Sequence, residues 1–255
     1  MRMPETAPSY LVPGFLLALW FIASHGQWLD PFLLPSPQRV AEAALSGLAS
    51  GELQAHIGVS LARVLVGFAT AALIGVPLGF GLGLSRGFRV AVDPTLQFLR
   101  QVPPIAWVPL FIVWFGIGEG SKQAVIIYAT IFPILVNTAL GVAQADASLL
   151  EVARAYCLTT KRTLLEVVVP GALPAVFAGL RLGLGNSWRA LIAAEMIAAS
   201  RGLGSMIWDA RSMAQPEGVI LGIHAIGLIG SHMDAIFVRL EALATPWRGG
   251  MTLGR

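Results

Sequence analysis

Five ionisable side chains fall near or inside long apolar runs of this chain: Asp93, Arg100, Arg181, Arg189 and Glu195. A charge at the centre of a bilayer is costly, so each is a functional candidate by default. The chemistry open to them is ion handling, because a guanidinium draws an anion and a buried carboxylate carries a proton or pairs with a cation. Each also has a plainer reading. Arg100 stands beside Pro103 and Pro104, a proline break whose freed amides favour an anion; alternatively it snorkels to lipid phosphates. Arg181 and Arg189 either act on an ion or pair locally. Glu195, among Ala193, Ala194 and Met196, needs a partner and reads as half of a structural ion pair rather than a proton carrier. Trp107 and Trp114 either line a path or serve as interfacial anchors and packing.

Covalent and redox chemistry lacks its residues. The only lysines, Lys122 and Lys161, sit in no G-x-x-x-x-G-K-[ST] phosphate loop. His25, His56, His224 and His232 form no H-E-x-x-H pair, and no G-x-S-x-G nucleophile elbow occurs. Cys157 is the sole cysteine, which excludes an intrachain disulfide and a C-x-x-C site. The expectation is a protein that is not an enzyme, with no catalytic residue, no metal and no cofactor of its own.

The elements that position these residues are membrane spans. Hydrophobic residues make up 56% of the 255 and charged ones 12%, against roughly 25% charged in a soluble domain. Mean hydropathy is +0.73. A soluble core of this size cannot hide that much apolar surface. Apolar runs predict an all-α, polytopic membrane protein of about six transmembrane helices in one domain, 1–255, with spans at about 10–24, 57–84, 94–115, 123–143, 170–199 and 219–240. The third is interrupted by Pro103, Pro104 and Pro109. Arg2 is the one early basic residue and no A-x-A-like site follows the first run, so that run reads as a retained span.

Charge placement orients the spans. With both termini cytoplasmic, the inner side holds Arg2, Arg86, Arg89, Arg154, Lys161, Arg162, Arg239, Arg248 and Arg255, and the outer side only Arg39, Lys122, Arg201 and Arg211. That asymmetry follows the positive-inside rule and puts residues 27–55 and 200–217 outside. The 17 Lys+Arg against 14 Asp+Glu form no basic stripe interleaved with aromatics, which argues against nucleic acid. Gly75, Gly79 and Gly83, like Gly179 and Gly183, make small-xxx-small steps that predict close helix packing rather than a substrate site.

The polar segment 144–169 between the fourth and fifth spans carries most of the functional information. Leu149, Leu150, Ala153, Cys157 and Leu158 recur at helical spacing, with Glu151, Arg154 and Ala155 on other faces. Thr159 and Thr160 can break and recap the chain, a second short helix carries Leu164, Leu165 and Val168, and Pro170 marks its stop or kink. Two short amphipathic helices with apolar surface to bury are expected.

This stretch resembles the EAA loop of importer permeases of the ATP-binding-cassette class. Glu151-Val152-Ala153 stands for Glu-Ala-Ala, Cys157 for the glycine four residues on, and Val167-x-Val169-Pro170 for Ile-x-Leu-Pro after nine intervening residues. The departures are Val152 and Cys157. The glycine position ends a helix, often in the left-handed conformation. Leu34-Pro-Ser-Pro37, the stretch Leu99 to Leu110, Trp114-Phe-Gly-Ile-Gly118 and Pro170-Gly-Ala-Leu-Pro174 resemble the nitrate/sulfonate/taurine/bicarbonate branch, with aliphatic-sulfonate permeases the nearest likeness. The resemblance implies a bacterial inner-membrane permease, dimeric with a second copy of itself. Two cytoplasmic ATPase subunits would bind ATP and Mg, and an external substrate-binding protein, periplasmic or lipid-anchored, would deliver the ligand. It implies ATPase coupling through Glu151, Ala153, Arg154, Cys157, Leu158 and Pro170, and a path for a small anion, for which the proline break and the charges within the spans make Arg100, Pro103, Pro104, Trp107 and Glu195 the candidate lining. The anion would be an aliphatic sulfonate or taurine, or else nitrate or bicarbonate. The alternative is an ATP-independent secondary transporter or channel, for which Glu195 is the acidic candidate deep in a span.

Overall fold

The computed structural model describes residues 11–26, 30 and 32–246. Arg2, Tyr10, Arg248 and Arg255 of the expectations above lie outside them. The described elements are helical: α1 (Leu11–His25), α2 (Pro37–Ser50), α3 (Glu52–Leu84), α4 (Arg86–Gln101), α5 (Val108–Phe115), α6 (Glu119–Ala143), α7 (Ala147–Ala155), α8 (Thr160–Thr163), α9 (Val169–Ala198), α10 (Leu203–Ser212) and α11 (Pro216–Ala244), with a 3-10 turn at Pro104–Trp107 and a π-helical turn at Leu164–Val168. Four helical stretches are long and apolar enough to cross a membrane: 52–84, 119–143, 160–197 and 216–244. α4 and the segment 104–115 pass that test as a pair bent by 91°. The described part of α1, 15 residues, reaches about 22 Å, against the roughly 30 Å of a bilayer core.

The chain folds as two compact units. The larger contains 60–198 and 228–255, and glycine registers show how its helices run. A Cβ built on Gly75 would meet Ile134 at 3.2 Å, on Gly79 would meet Thr138 at 2.6 Å, and on Gly83 would meet Val142 at 2.5 Å. Both sequences rise together, so α3 and α6 are parallel. Gly179 meets Asn137 and Gly183 meets Ile134, a falling register that makes α9 antiparallel to α6. Approaches as close as those at Gly79 and Gly83 leave no room for a side chain, the close packing that the glycine steps predict, and they set α6 between α3 and α9. Since α3 and α6 point the same way, the α4–α5 pair must return the chain across the unit. It is one broken span and no re-entrant loop.

The break has a steric cause. A residue before proline is pushed out of the helical region, and Val102 (φ −79°, ψ 120°) and Pro103 (φ −59°, ψ 138°) both precede a proline. Two expectations are corrected here. The helix that carries the third span starts at Arg86 rather than at residue 94, with Pro94 inside α4, and Pro109 does not interrupt it: it stands in the first turn of α5, where its missing N–H costs nothing.

The smaller unit, 1–59 with 199–227, holds α1, α2 and α10. Trp20 Nε1 donates to the Pro35 carbonyl at 3.0 Å, and its ring stacks on His224 at 5.7 Å. α10 lies within the stretch 200–217 that the charge asymmetry puts outside.

Candidate functional site

α4 is amphipathic in an inverted sense. Phe88, Val90 and Phe98 project outward and are exposed, while Arg89, Asp93, Gln97 and Arg100 recur at helical spacing and line a cavity of about 220 Å³ against Leu135, Val136 and Ala139 of α6. Such an arrangement suits a helix with lipid on one side and a polar path on the other. A second cavity of about 340 Å³ lies beyond Arg100, lined also by Pro104, Tyr128, Asn137 and Asn186. Arg100, Phe132 and Val136 border both.

The polar groups differ in how far they are committed. Arg89 closes the end of α3, donating from Nε to the Leu82 carbonyl at 3.0 Å and from Nη2 to Gly83 at 3.3 Å, as a cation at a helix C-terminus should. Gln97 donates to Asp93 Oδ2 at 2.8 Å. Asn186 accepts from Arg189 Nη2 through Oδ1 at 2.7 Å, which leaves its amide hydrogens for the cavity. Tyr128 donates its hydroxyl to the Leu99 carbonyl and so ties the broken end of α4 to α6. Arg100 makes no hydrogen bond or ion pair among the described residues. It is exposed in the last turn of α4 and borders both cavities.

Of the expected pathway residues, the structure therefore brings together Arg100 and Pro104. Pro103 is exposed at the break. Trp107 is taken up in an aromatic cluster, stacked on Phe111 at 5.8 Å and tilted against Tyr128 at 5.4 Å, which is packing. Glu195 is placed elsewhere, fully buried at 0% exposure in an ion network. Its Oε1 accepts from Arg63 Nη1 at 2.7 Å, and Ser60 Oγ lies 2.9 Å from both carboxylate oxygens. The same Arg63 grips Glu119 with Nε at 2.7 Å and Nη2 at 2.6 Å, and Lys122 Nζ adds a contact to Glu119 at 2.9 Å. This is the structural ion pair expected of Glu195, and it ties α3, α6 and α9 together. Arg63 was not among the sequence candidates although it lies within the run 57–84. Asp234, which holds Arg181 at 2.6 and 2.7 Å, was missed too. The rule that singled out Arg100 applies to both.

At the end of the unit shared by Leu84 and Ala143, α7 starts on Asp146, whose side chain accepts from the Ser148 amide at 2.9 Å and the Ser148 hydroxyl at 2.7 Å. Those two bonds hold the Asp146 carboxyl below the usual carboxylate range. Cys157 has φ 52°, the left-handed backbone that the motif glycine serves, and Thr159 recaps the chain with Oγ1 accepting from the Arg162 amide at 3.4 Å. Two expectations change. Ala153 is 2% exposed, turned inward, and Leu158 is half-buried. Leu149, Val152 and Tyr156 form the exposed apolar stripe, with Tyr156 at 77%; Glu151, Arg154 and Cys157 are exposed beside it. Pro170 neither stops nor separates the second helix. A π-helical turn (Leu164–Val168), closed by the Val169 amide on the Leu164 carbonyl, widens the helix where a proline ring would meet the carbonyl of residue 166, so the chain continues from α8 into α9.

An all-α polytopic membrane protein, with polar cavities along a broken span and an exposed amphipathic helix at one end of its bundle, has the architecture of a membrane transport component. The family described as binding-protein-dependent transport system inner membrane component matches residues 57–244, and the chain belongs to it. The chain is 36% identical over 239 residues to the taurine transport system permease protein TauC of Escherichia coli strain K12, spanning 92% of this chain and 87% of that protein. It is 39% identical over 243 residues to the putative aliphatic sulfonates transport permease protein SsuC of the same organism, spanning 95% and 92%. It is 35% identical over 252 residues to the nitrate import permease protein NrtB of Synechocystis sp., spanning 95% and 90%. A solved structure of the MetNI methionine ABC transporter in inward-facing conformations matches with a TM-score of 0.58 at 18% identity, covering 74% of this chain and 97% of that one; at that identity the likeness is one of fold. The chain is a multi-pass inner-membrane permease of the ABC importer class, in the branch of the sulfonate, taurine, nitrate and bicarbonate permeases.

Proposed function

We propose that this permease moves a small anion of the aliphatic sulfonate or taurine class into the cytoplasm by alternating access, nitrate and bicarbonate being the other anions of the branch. It works as a homodimer with two cytoplasmic ATPase subunits, which hold ATP and Mg, and a periplasmic or lipid-anchored binding protein that delivers the ligand. The end bearing α7 is cytoplasmic, as the Lys and Arg at 86, 89, 154, 161, 162 and 239 support, and both termini lie on that side.

The observation that carries this reading is the α7–α8 unit. An exposed apolar stripe on a capped helix needs a partner surface, and its motif is that of an importer coupling loop. Leu149, Val152 and Tyr156 enter the ATPase with Glu151 and Arg154 at the rim, while Ala153, Leu158, Cys157 and Pro170 shape the unit and pass its movement into α9. Val152→Asp with Tyr156→Asp should abolish co-purification of the ATPase while the permease remains inserted; unchanged co-purification refutes the coupling role. A cysteine placed at Thr160 in a Cys157→Ser background should label from the cytoplasmic side only, and external labelling would reverse the orientation.

Arg100 is the anion contact in the path. Arg100→Lys should retain partial uptake and Arg100→Gln should lose it with ATPase binding intact. Normal uptake by Arg100→Gln would place the path elsewhere.

A further inference from the structure

We infer that Asp93 is a specificity-determining residue, and that the cavity along α4 selects a zwitterion carrying an oxyanion and an ammonium on one short chain over a simple monoanion. The inference rests on Arg100 as the anion contact. An importer for monoanions gains nothing from a carboxylate in its path, yet Asp93 lines the same cavity as Arg100.

The local charges are not interchangeable. Arg89 donates to the α3 carbonyls rather than to the Asp93 carboxylate, although its charge stays in the cavity. The Gln97 amide occupies Oδ2 of Asp93 and orients the carboxylate, leaving Oδ1 open to a donor. Arg100 is uncommitted. The two open groups, one of each sign, stand two helical turns apart on the polar face of α4, about 10.5 Å of rise, a gap that the long arginine side chain shortens. The cavity volume of about 220 Å³ leaves room for a small ligand. The apolar walls from Leu82, Leu96, Phe132 and Leu135 take the short alkyl link. A monoanion of the same size would meet Arg100 and leave the open oxygen of Asp93 without a cationic partner; a zwitterion satisfies both.

The test uses the permease–ATPase complex in detergent, with Cys157→Ser and a cysteine at Val136, which borders both cavities. Labelling by a polar maleimide is measured against 2-aminoethanesulfonate and ethanesulfonate, which share the sulfonate and differ by the ammonium. A charge-assisted contact makes half-protection by 2-aminoethanesulfonate come at a concentration about ten-fold lower or more. Asp93→Asn should bring the two curves together and Asp93→Glu should keep them apart, which separates a lost charge from a misfolded variant. Arg100→Gln should abolish protection by both. Equal protection in the Asp93 protein overturns the inference, and loss of both in Arg100→Gln would still leave the anion path standing. If Arg100→Gln leaves both curves unchanged, the path assignment falls and the inference falls with it.

Discussion

Removing Arg63 should cost this protein more stability than any other single charge deletion within its spans, because of what it leaves behind. Arg63→Met strands the Glu195 carboxylate at 0% exposure, with the Ser60 hydroxyl still beside it but its guanidinium gone. Breaking a buried pair from one side typically costs about 3–5 kcal/mol. At about 2–4 °C per kcal/mol for a chain of this length, the melting temperature should fall by roughly 6–20 °C. Glu195→Ala should cost less, because Arg63 keeps its two-pronged contact with Glu119. Replacing both at once removes the stranded charge. Glu119 is then left with Lys122 at 2.9 Å and a side chain 60% exposed, where water serves it.

The double variant Arg63→Met with Glu195→Met should therefore melt above Arg63→Met alone, since apolar replacement of a whole buried pair is often neutral. The non-additivity should reach about 0.5–3 kcal/mol, as for residues in direct contact. The assay is thermal unfolding of the detergent-purified permease followed by loss of its monodisperse elution peak. A melting temperature for Arg63→Met within about 2 °C of wild type, or strict additivity in the cycle, would refute the idea that the pair is sealed from water.

Other perturbations test other levels of the structure. Cys157→Gly should stabilise the loop by about 1 kcal/mol, since a side chain at φ 52° carries a left-handed penalty, and Cys157→Val should lower the melting temperature. Gly79→Val should prevent a monodisperse fold, because even its Cβ would lie 2.6 Å from that of Thr138, whereas Gly87→Ala, with open space around it, should melt as wild type. Asp146→Asn should retain ATPase co-purification at pH 7 and Asp146→Ala should weaken it by fraying α7. The Asp146 carboxyl is depressed in the fold, so its contribution is complete above the ordinary carboxylate pKa and is lost as pH falls through the lower folded value; α7 protection from hydrogen exchange should fall in that acid window and stay flat above it.

What could be read in advance depended on whether one local rule governed the outcome. Glycine steps at 75, 79 and 83 report packing because only a missing side chain lets two backbones approach, and the packing is there, though only the structure shows that its partner is α6. Cys157 occupies a left-handed position because the chain must turn between two capped helices, whatever residue stands there. α4 escaped the same reading, since Arg86, Arg89 and Asp93 look like loop residues until a cavity gives their face something polar to line. The opposite error occurred at Ala153: its motif position suggested a docking face, yet a small residue is what allows α7 to lie against its own bundle, and the larger Val152 and Tyr156 are left exposed. Pairing was the least legible. Arg63 and Glu195 each break an apolar run, but they are 132 residues apart, and only the parallel course of α3 and α6, with α9 returning against α6, brings a guanidinium to two carboxylates. Glu195 lies in that buried network and borders neither cavity, so the carboxylate belongs to the scaffold, while Arg100 and Asp93 share a cavity along one helix.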